Sequence, residues 1–217
     1  MVANKLLKYL VEETWPKVKL YFIGEHYGHV SLVTIISEII ASLWLMLPAY
    51  IPNPAAVLFK GKVPMDFGKI FLDGRRILGR GKTWRGFFGG AVTGFITGLI
   101  QNFIAGYLPA SYFPRFGEGL QLIGVLLCLS FGAMSGDVLG SFIKRRMGIE
   151  SGGKAFLLDQ LGFVLVAWLF LLLLYPSWFM AHFGKIIPVL TILVITPALH
   201  RVVNIIGYKM GKKEVPW

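Results

Sequence analysis

Two acids mark where this chain could do chemistry. Asp137 lies in SFGAMSGDVLGSFIKRR and Asp159 in IESGGKAFLLDQLGF, each at the edge of a long apolar run. Between them stand Ser141, Lys144, Arg145, Arg146, Gly152, Gly153 and Lys154. A carboxylate at membrane depth is costly unless it is paired, protonated or bound to a cation. One reading is a salt bridge to Lys144, Arg145 or Lys154. The other is a Mg²⁺ held by one or two carboxylates together with substrate phosphates, which calls for the same residue types. Upstream, KGKVPMDFGKIFLDGRRILGRGKTWRGFFGG at Lys60 to Gly90 sets glycines between eight cations. Glycine lets backbone amides approach a phosphate closely, and Lys or Arg neutralises it. A polybasic patch against lipid headgroups is the plainer alternative. A Walker A loop is excluded by residue: Gly81, Lys82 and Thr83 match its end, but its first glycine would fall on Arg76.

Those inventories favour a reaction that asks for cations and placement. Phosphoryl or nucleotidyl transfer is of that kind, because its catalysis is mostly positioning and neutralisation of charge. An acceptor that is itself a phosphate monoester is already an anion and needs no general base. No Cys, Ser or His arrangement suited to nucleophilic catalysis occurs in these loops.

The elements that must position these residues follow from composition. Of 217 residues, 55% are hydrophobic and only 15% charged, with 22 Lys and Arg against 11 Asp and Glu. The mean hydropathy is +0.66, which excludes a soluble globule and a disordered chain. The single cysteine, Cys128, excludes a disulfide scaffold. Helices of about 20 apolar residues cross the hydrocarbon layer, and five such stretches occur: Val30 to Tyr50, interrupted by Glu38; Phe87 to Leu108; Gly119 to Gly136; Gln160 to Met180; and Ile186 to Ile206, with Arg201 inside it. Glu38 is open to three roles: a protonated donor, the partner of a base, or a proton-relay group. Gly86, Gly90, Gly94 and Gly98 recur every four residues, a stripe for close helix approach within one bundle or between two chains.

Fifteen of the 22 basic residues fall in the loops between spans one and two and between spans three and four, and in the tail; six fall on the other side. The positive-inside rule then predicts an outside N-terminus and a cytoplasmic C-terminus. The expected fold is an all-α integral membrane protein, one membrane domain over 1–217. It has an amphipathic segment at 1–29 and two long basic cytoplasmic loops at 51–86 and 140–156. His26 and His29 are spaced like metal ligands but are too few for a site. His200, Arg201, Asn204 and Tyr208 fall on neighbouring faces at the end of the last helix, lining a site or closing the bundle.

The motifs GKTWRGFFGG at Gly81 to Gly90, GDVLGSFIKRR at Gly136 to Arg146, and GG followed by LDQ at Gly152 to Gln160 resemble the CTP-dependent lipid cytidylyltransferases. That family shares a KTWxG segment, then S-x-x-KR, then GG ahead of D-R-x-D. LPAYIPN at Leu47 to Asn53, DFGKIFLDGRR at Asp66 to Arg76 and the tail from His200 look like its archaeal branch, the CDP-archaeol synthases.

The resemblance implies a multi-pass enzyme of the cell membrane, its active site facing the cytoplasm. It would use CTP, Mg²⁺ and an isoprenoid ether glycerol phosphate lipid, with the bilayer and no nucleic acid as partner and an oligomer left open. Asp137 and Asp159 would hold the metal. Lys82 and Lys144 would act with them in catalysis, and Thr83, Trp84, Arg85, Ser141, Arg145, Gly152 and Gly153 would contact substrate; charge and place add Arg75, Arg76 and Lys154. The D-R-x-D run here reads Asp159, Gln160, Leu161, Gly162, so its second acid is absent and the number of metal ions stays open. Alternatives are a cytidylyltransferase for ester lipids and a non-catalytic lipid transporter or scaffold. CDP-alcohol phosphotransferases rank last among the alternatives, because Asp73-Gly74-Arg75-Arg76 continues into Ile77 and Leu78 and not into their D-G-x-x-A-R opening.

Overall fold

The computed structural model describes residues 31–211; the expected amphipathic segment and the His26 and His29 pair lie outside them. Helix α1 (Leu32–Tyr50) is capped by the Ser31 hydroxyl, which accepts from the Thr34 amide. It passes at Ile51 into the short α2 (Pro52–Leu58), where proline occupies the first turn. The others are α3 (Trp84–Ile104), α4 (Gly119–Arg146), α5 (Phe156–Leu174), α6 (Pro176–Phe183) and α7 (Ile186–Lys209). No strand forms among the described residues, and five helical stretches are long and apolar enough to span a bilayer.

Several boundaries differ from the sequence expectation, among them the first loop, which starts beyond α2 (Pro52–Leu58) and not at 51. The fourth apolar run is not one helix to Met180: it stops at Leu174, and the chain breaks at Tyr175 (φ −135°, ψ 54°) before α6 begins at Pro176. Proline ahead of a helical run forces the preceding residue out of the α region. The second loop is shorter than 140–156, because α4 stays helical to Arg146. At 1.5 Å per residue its 28 residues span about 42 Å, beyond the ~30 Å of hydrocarbon. Lys144, Arg145 and Arg146 in its last turn also suit the negative end of the helix dipole.

The core lies where α1, α4, α5 and α7 meet, around the fully buried Leu45, Met46, Leu129, Val164, Leu171 and Ile192. Small residues set the spacing. A Cβ on Gly90 would stand 2.5 Å from the Pro52 carbonyl and one on Gly94 2.5 Å from the Pro48 carbonyl, so the glycine stripe of α3 is filled by α1 and α2 of the same chain. Likewise a Cβ on Gly136 would fall 2.6 Å from the Phe163 Cα, so α4 and α5 run nearly backbone to backbone where both acids reside. At the opposite end Glu38 pairs with Lys185 at 2.7 Å, which gives this half-buried acid the role of partner to a base.

Candidate active site

The loop from Lys60 to Thr83 is ordered by one carboxylate. Asp66 is 5% exposed and accepts from Arg76 (2.6 Å) and from the amides of Gly68, Leu78 and Gly79. Burial works to raise its pKa, but these four donors together outweigh it and hold the carboxyl well below the usual carboxylate range. The folded loop clamps the end of α4. Arg75 donates to the Arg146 carbonyl (3.0 Å), one of the acceptors a helix end leaves unpaired. Arg146 returns to Asp73 (2.8 Å) and the Arg76 carbonyl (2.6 Å), with its guanidinium over Phe71 and Phe142. Arg145 is 7% exposed and donates to the Glu150 carbonyl (2.9 Å). Both basic loops therefore sit at one end of the bundle.

This scaffold delivers Lys82. A short antiparallel pairing holds it: the Met65 amide donates to the Lys82 carbonyl (2.8 Å) and the Trp84 amide to the Val63 carbonyl (3.4 Å). Thr83 then caps α3, its hydroxyl accepting from the amides of Gly86 (3.2 Å) and Gly61 (3.1 Å). From there the Lys82 ammonium reaches Asp137 at 2.5 Å.

On α4, positions 137, 141 and 144 follow the i, i+4, i+7 spacing of one face. The Ser141 hydroxyl donates to the Asp137 carbonyl (3.0 Å). Lys144 pairs with Asp159 at 2.7 Å and donates to the Gly153 carbonyl (3.3 Å). Asp159 stands in the first turn of α5, where the helix dipole favours an anion, and accepts from the Ala155 amide (2.9 Å). Lys82, Asp137, Ser141, Lys144, Asp159 and Gly153 thus share one face at the α4–α5 junction. The salt-bridge reading of the acids holds in part: Asp159 takes Lys144, but Asp137 takes Lys82, 55 residues away.

The other expected residues divide. Arg75 ties the first loop to α4, Arg76 is held on Asp66 within that loop, Arg145 donates to the Glu150 carbonyl beyond the end of α4, and Thr83 is occupied as a helix cap. Trp84 is 38% exposed, stacked on Phe88, and lines an open groove of about 500 Å³ with Met65, Leu78, Phe87, Val138 and Phe142. Arg85, Gly152 and Lys154 are exposed nearby in the chain. Asp66 and Arg146 organise the site without having been singled out for it; two acids, Asp66 and Asp73, among eight cations were the available signal.

The donor set suits Mg²⁺. Two carboxylates, each paired with a lysine, stand at the α4–α5 junction, and the Gln160 Oε1 beside Asp159 in the chain is buried without a hydrogen-bond partner. No group of three or more His, Cys, Asp or Glu side chains converges among the described residues. An ion here would complete its shell with water and phosphate oxygens, as Mg²⁺ commonly does. His200 and Asn204 lie within hydrogen-bond distance (3.3 Å), with Asn204 buried, while Arg201 and Tyr208 face outward.

Residues 33–217 match the family model CarS-like: CDP-archaeol synthase. The chain belongs to the CDP-archaeol synthase family. It is 48% identical over 182 residues to the CDP-archaeol synthase of Archaeoglobus fulgidus, covering 82% of this chain and 98% of that one. With the Methanospirillum hungatei CDP-archaeol synthase it shares 49% identity over 174 residues, covering 79% of this chain and all of the relative. A solved structure described as an intramembrane enzyme for archaeal membrane lipids biosynthesis superposes with a TM-score of 0.58 at 34% identity. That superposition covers 75% of this chain and 92% of the other. Of the motif residues, Lys82, Ser141, Lys144, Gly153 and Asp159 belong to the two Lys–Asp pairs and their neighbours, whereas Thr83, Trp84 and Arg145 lie to the side.

Proposed function

We propose that this chain transfers the cytidylyl group of CTP to an unsaturated dialkylglycerol phosphate of the archaeal ether type, forming CDP-archaeol and pyrophosphate. Membership of the CDP-archaeol synthase family supports the reaction. The observation that carries the mechanism is the pair of lysine–carboxylate contacts, Lys82–Asp137 and Lys144–Asp159, on one face.

Each lysine is held against a carboxylate before substrate arrives. In the proposed reaction Asp137 and Asp159 hold Mg²⁺, which supplies charge neutralisation to the triphosphate when bound. Lys82 and Lys144 then turn from the acids to phosphate oxygens. An oxygen of the lipid phosphate attacks the α-phosphorus of CTP, forming a new P–O–P bond. The α–β bond breaks and its electron pair leaves with pyrophosphate. No proton need leave the acceptor, so Lys82 and Lys144 are needed for charge and neither carboxylate has to act as a base. The apolar groove at Trp84 adjoins Lys82 in the chain and through Val138 adjoins Asp137; it suits the glycerol and first isoprenoid carbons.

The charge asymmetry supports an outside N-terminus and a site facing the cytoplasm of the cell membrane. The test gives the purified protein Mg²⁺, CTP labelled at the α-phosphate, and either ether isoprenoid or ester acyl acceptors. Label passing into the ether lipid is the expected result. Label retained in the aqueous phase by folded protein would refute the transfer.

A further inference from the structure

A second concavity of about 490 Å³ lies on the first loop, walled by Lys62, Pro64, Phe67, Gly68, Arg76 and Arg80 among others. None of Lys82, Asp137, Ser141, Lys144 or Asp159 lines it, and it shares no wall residue with the apolar groove. Three cations and no acid form its wall. The neighbouring acid, Asp66, is already engaged by Arg76 and three amides. Lys62 and Arg80 are exposed and have no ion-pair partner among the described residues. Like charges gathered in one pocket repel one another, and an anion there relieves that repulsion.

Backbone geometry at the rim points the same way. Phe67 has φ 48°, a left-handed conformation that is a genuine outlier for a bulky side chain, and its side chain is kept in the open at 64% exposure. Such strain tends to persist at ligand clamps. The depth is also informative. The first spanning stretch ends at Leu58, four residues before Lys62, and Leu58, Phe59 and Val63 are all exposed apolar residues. A cationic pocket with an apolar rim at the end of a membrane span lies at the level of lipid phosphates.

We propose that this pocket is a second phosphate-binding site, separate from the Lys–Asp face, that takes a phosphate monoester or pyrophosphate group. Lys62 and Arg80 supply the uncompensated charge, Arg76 stays paired with Asp66 in the wall, and Phe67 covers the apolar side of the ligand. The source of the phosphate is either a lipid headgroup or a free polyphosphate, and the experiment separates them.

Full-length protein without CTP is titrated with a dialkylglycerol phosphate in one arm and inorganic pyrophosphate in the other. Bound copies are counted by native mass spectrometry for wild type and for Lys62→Gln/Arg80→Gln. Both positions are exposed, so the double variant should keep the wild-type melting temperature. Loss of one bound copy, or a fall in its affinity of roughly thirtyfold for two charges, in the lipid arm assigns a headgroup site. The same loss in the pyrophosphate arm assigns a polyphosphate site. Lys62→Arg/Arg80→Lys should retain the bound copy. Equal counts and affinities for wild type and the double variant in both arms would overturn the site, whatever the outcome for CTP turnover.

Discussion

Asp137 and Asp159 are expensive residues at the edge of a bilayer, and the protein tolerates them by placing a lysine on each. In the proposed transfer the carboxylates would exchange a lysine for a hard cation, and the displaced ammonium would stay close to the incoming phosphates. Asp159→Asn keeps the shape but supplies an amide, a poor ligand for such a cation. The expected result is a fall in lipid labelling of about a hundredfold or more, with helix content unchanged by circular dichroism; an active variant would refute the metal role. Asp66 carries a different cost. Its pKa is depressed, so its contribution is fully present above the unfolded carboxyl value near ~3.9 and is lost as pH falls through the lower folded value. Asp66→Ala strips the loop of four acceptor contacts and should lower stability by about 2–3 kcal/mol. The difference in melting temperature from wild type should be constant above pH ~5 and narrow only in stronger acid; a difference that narrows near neutrality would show that another group controls the loop.

At the scale of elements, the crossing of α4 and α5 fixes the distance between the acids, and two glycines there have unequal work. A methyl group on Gly136 would meet the Phe163 Cα at 2.6 Å and the Gly162 carbonyl at 2.7 Å, both rigid backbone. A methyl group on Gly162 would make only ordinary contacts, 3.7 Å to Leu158 and 3.9 Å to the Gly136 carbonyl. Gly136→Ala should therefore cost about 2–3 kcal/mol or more by forcing the helices apart. Gly162→Ala should be neutral, or stabilising by up to about 1 kcal/mol through helix propensity. Melting temperatures in detergent read both, and equal shifts would contradict the close approach. Sequence made much of this architecture legible: the apolar runs located five spans, and the four-residue glycine spacing marked a packing face. It could not show that the stripe of α3 would meet α1 and α2. Hydropathy also ran on through Tyr175 and Pro176, where the backbone breaks, and it stopped at Gly136 although the helix continues, because a charged side chain, here Asp137, ends an apolar run without ending a helix. Lys82 and Asp137 were each legible as site residues from their motifs. Their pairing across 55 residues was not, since it depends on the loop that Asp66 folds.

For the whole molecule, the net charge of +11 is local, not diffuse. The two basic loops interlock through Arg75, Asp73 and Arg146 at one end of the bundle, whereas Arg115 and the Glu38–Lys185 pair belong to the other. The positive-inside rule converts that asymmetry into an orientation. A labelling experiment can test it cleanly, because the native Cys128 is 4% exposed inside the core and should react poorly with a polar maleimide. Ser151 lies exposed in the loop after α4, and Ser111 is exposed in the connection between α3 and α4 at the opposite end. Ser→Cys at either position is a conservative change in an exposed turn. In intact cells, a membrane-impermeant maleimide should label Ser111→Cys and leave Ser151→Cys unmodified. Disrupting the membrane should expose Ser151→Cys as well. Labelling of Ser151→Cys in sealed cells would invert the topology and place the Lys–Asp face on the side without CTP, which the proposed transfer could not survive.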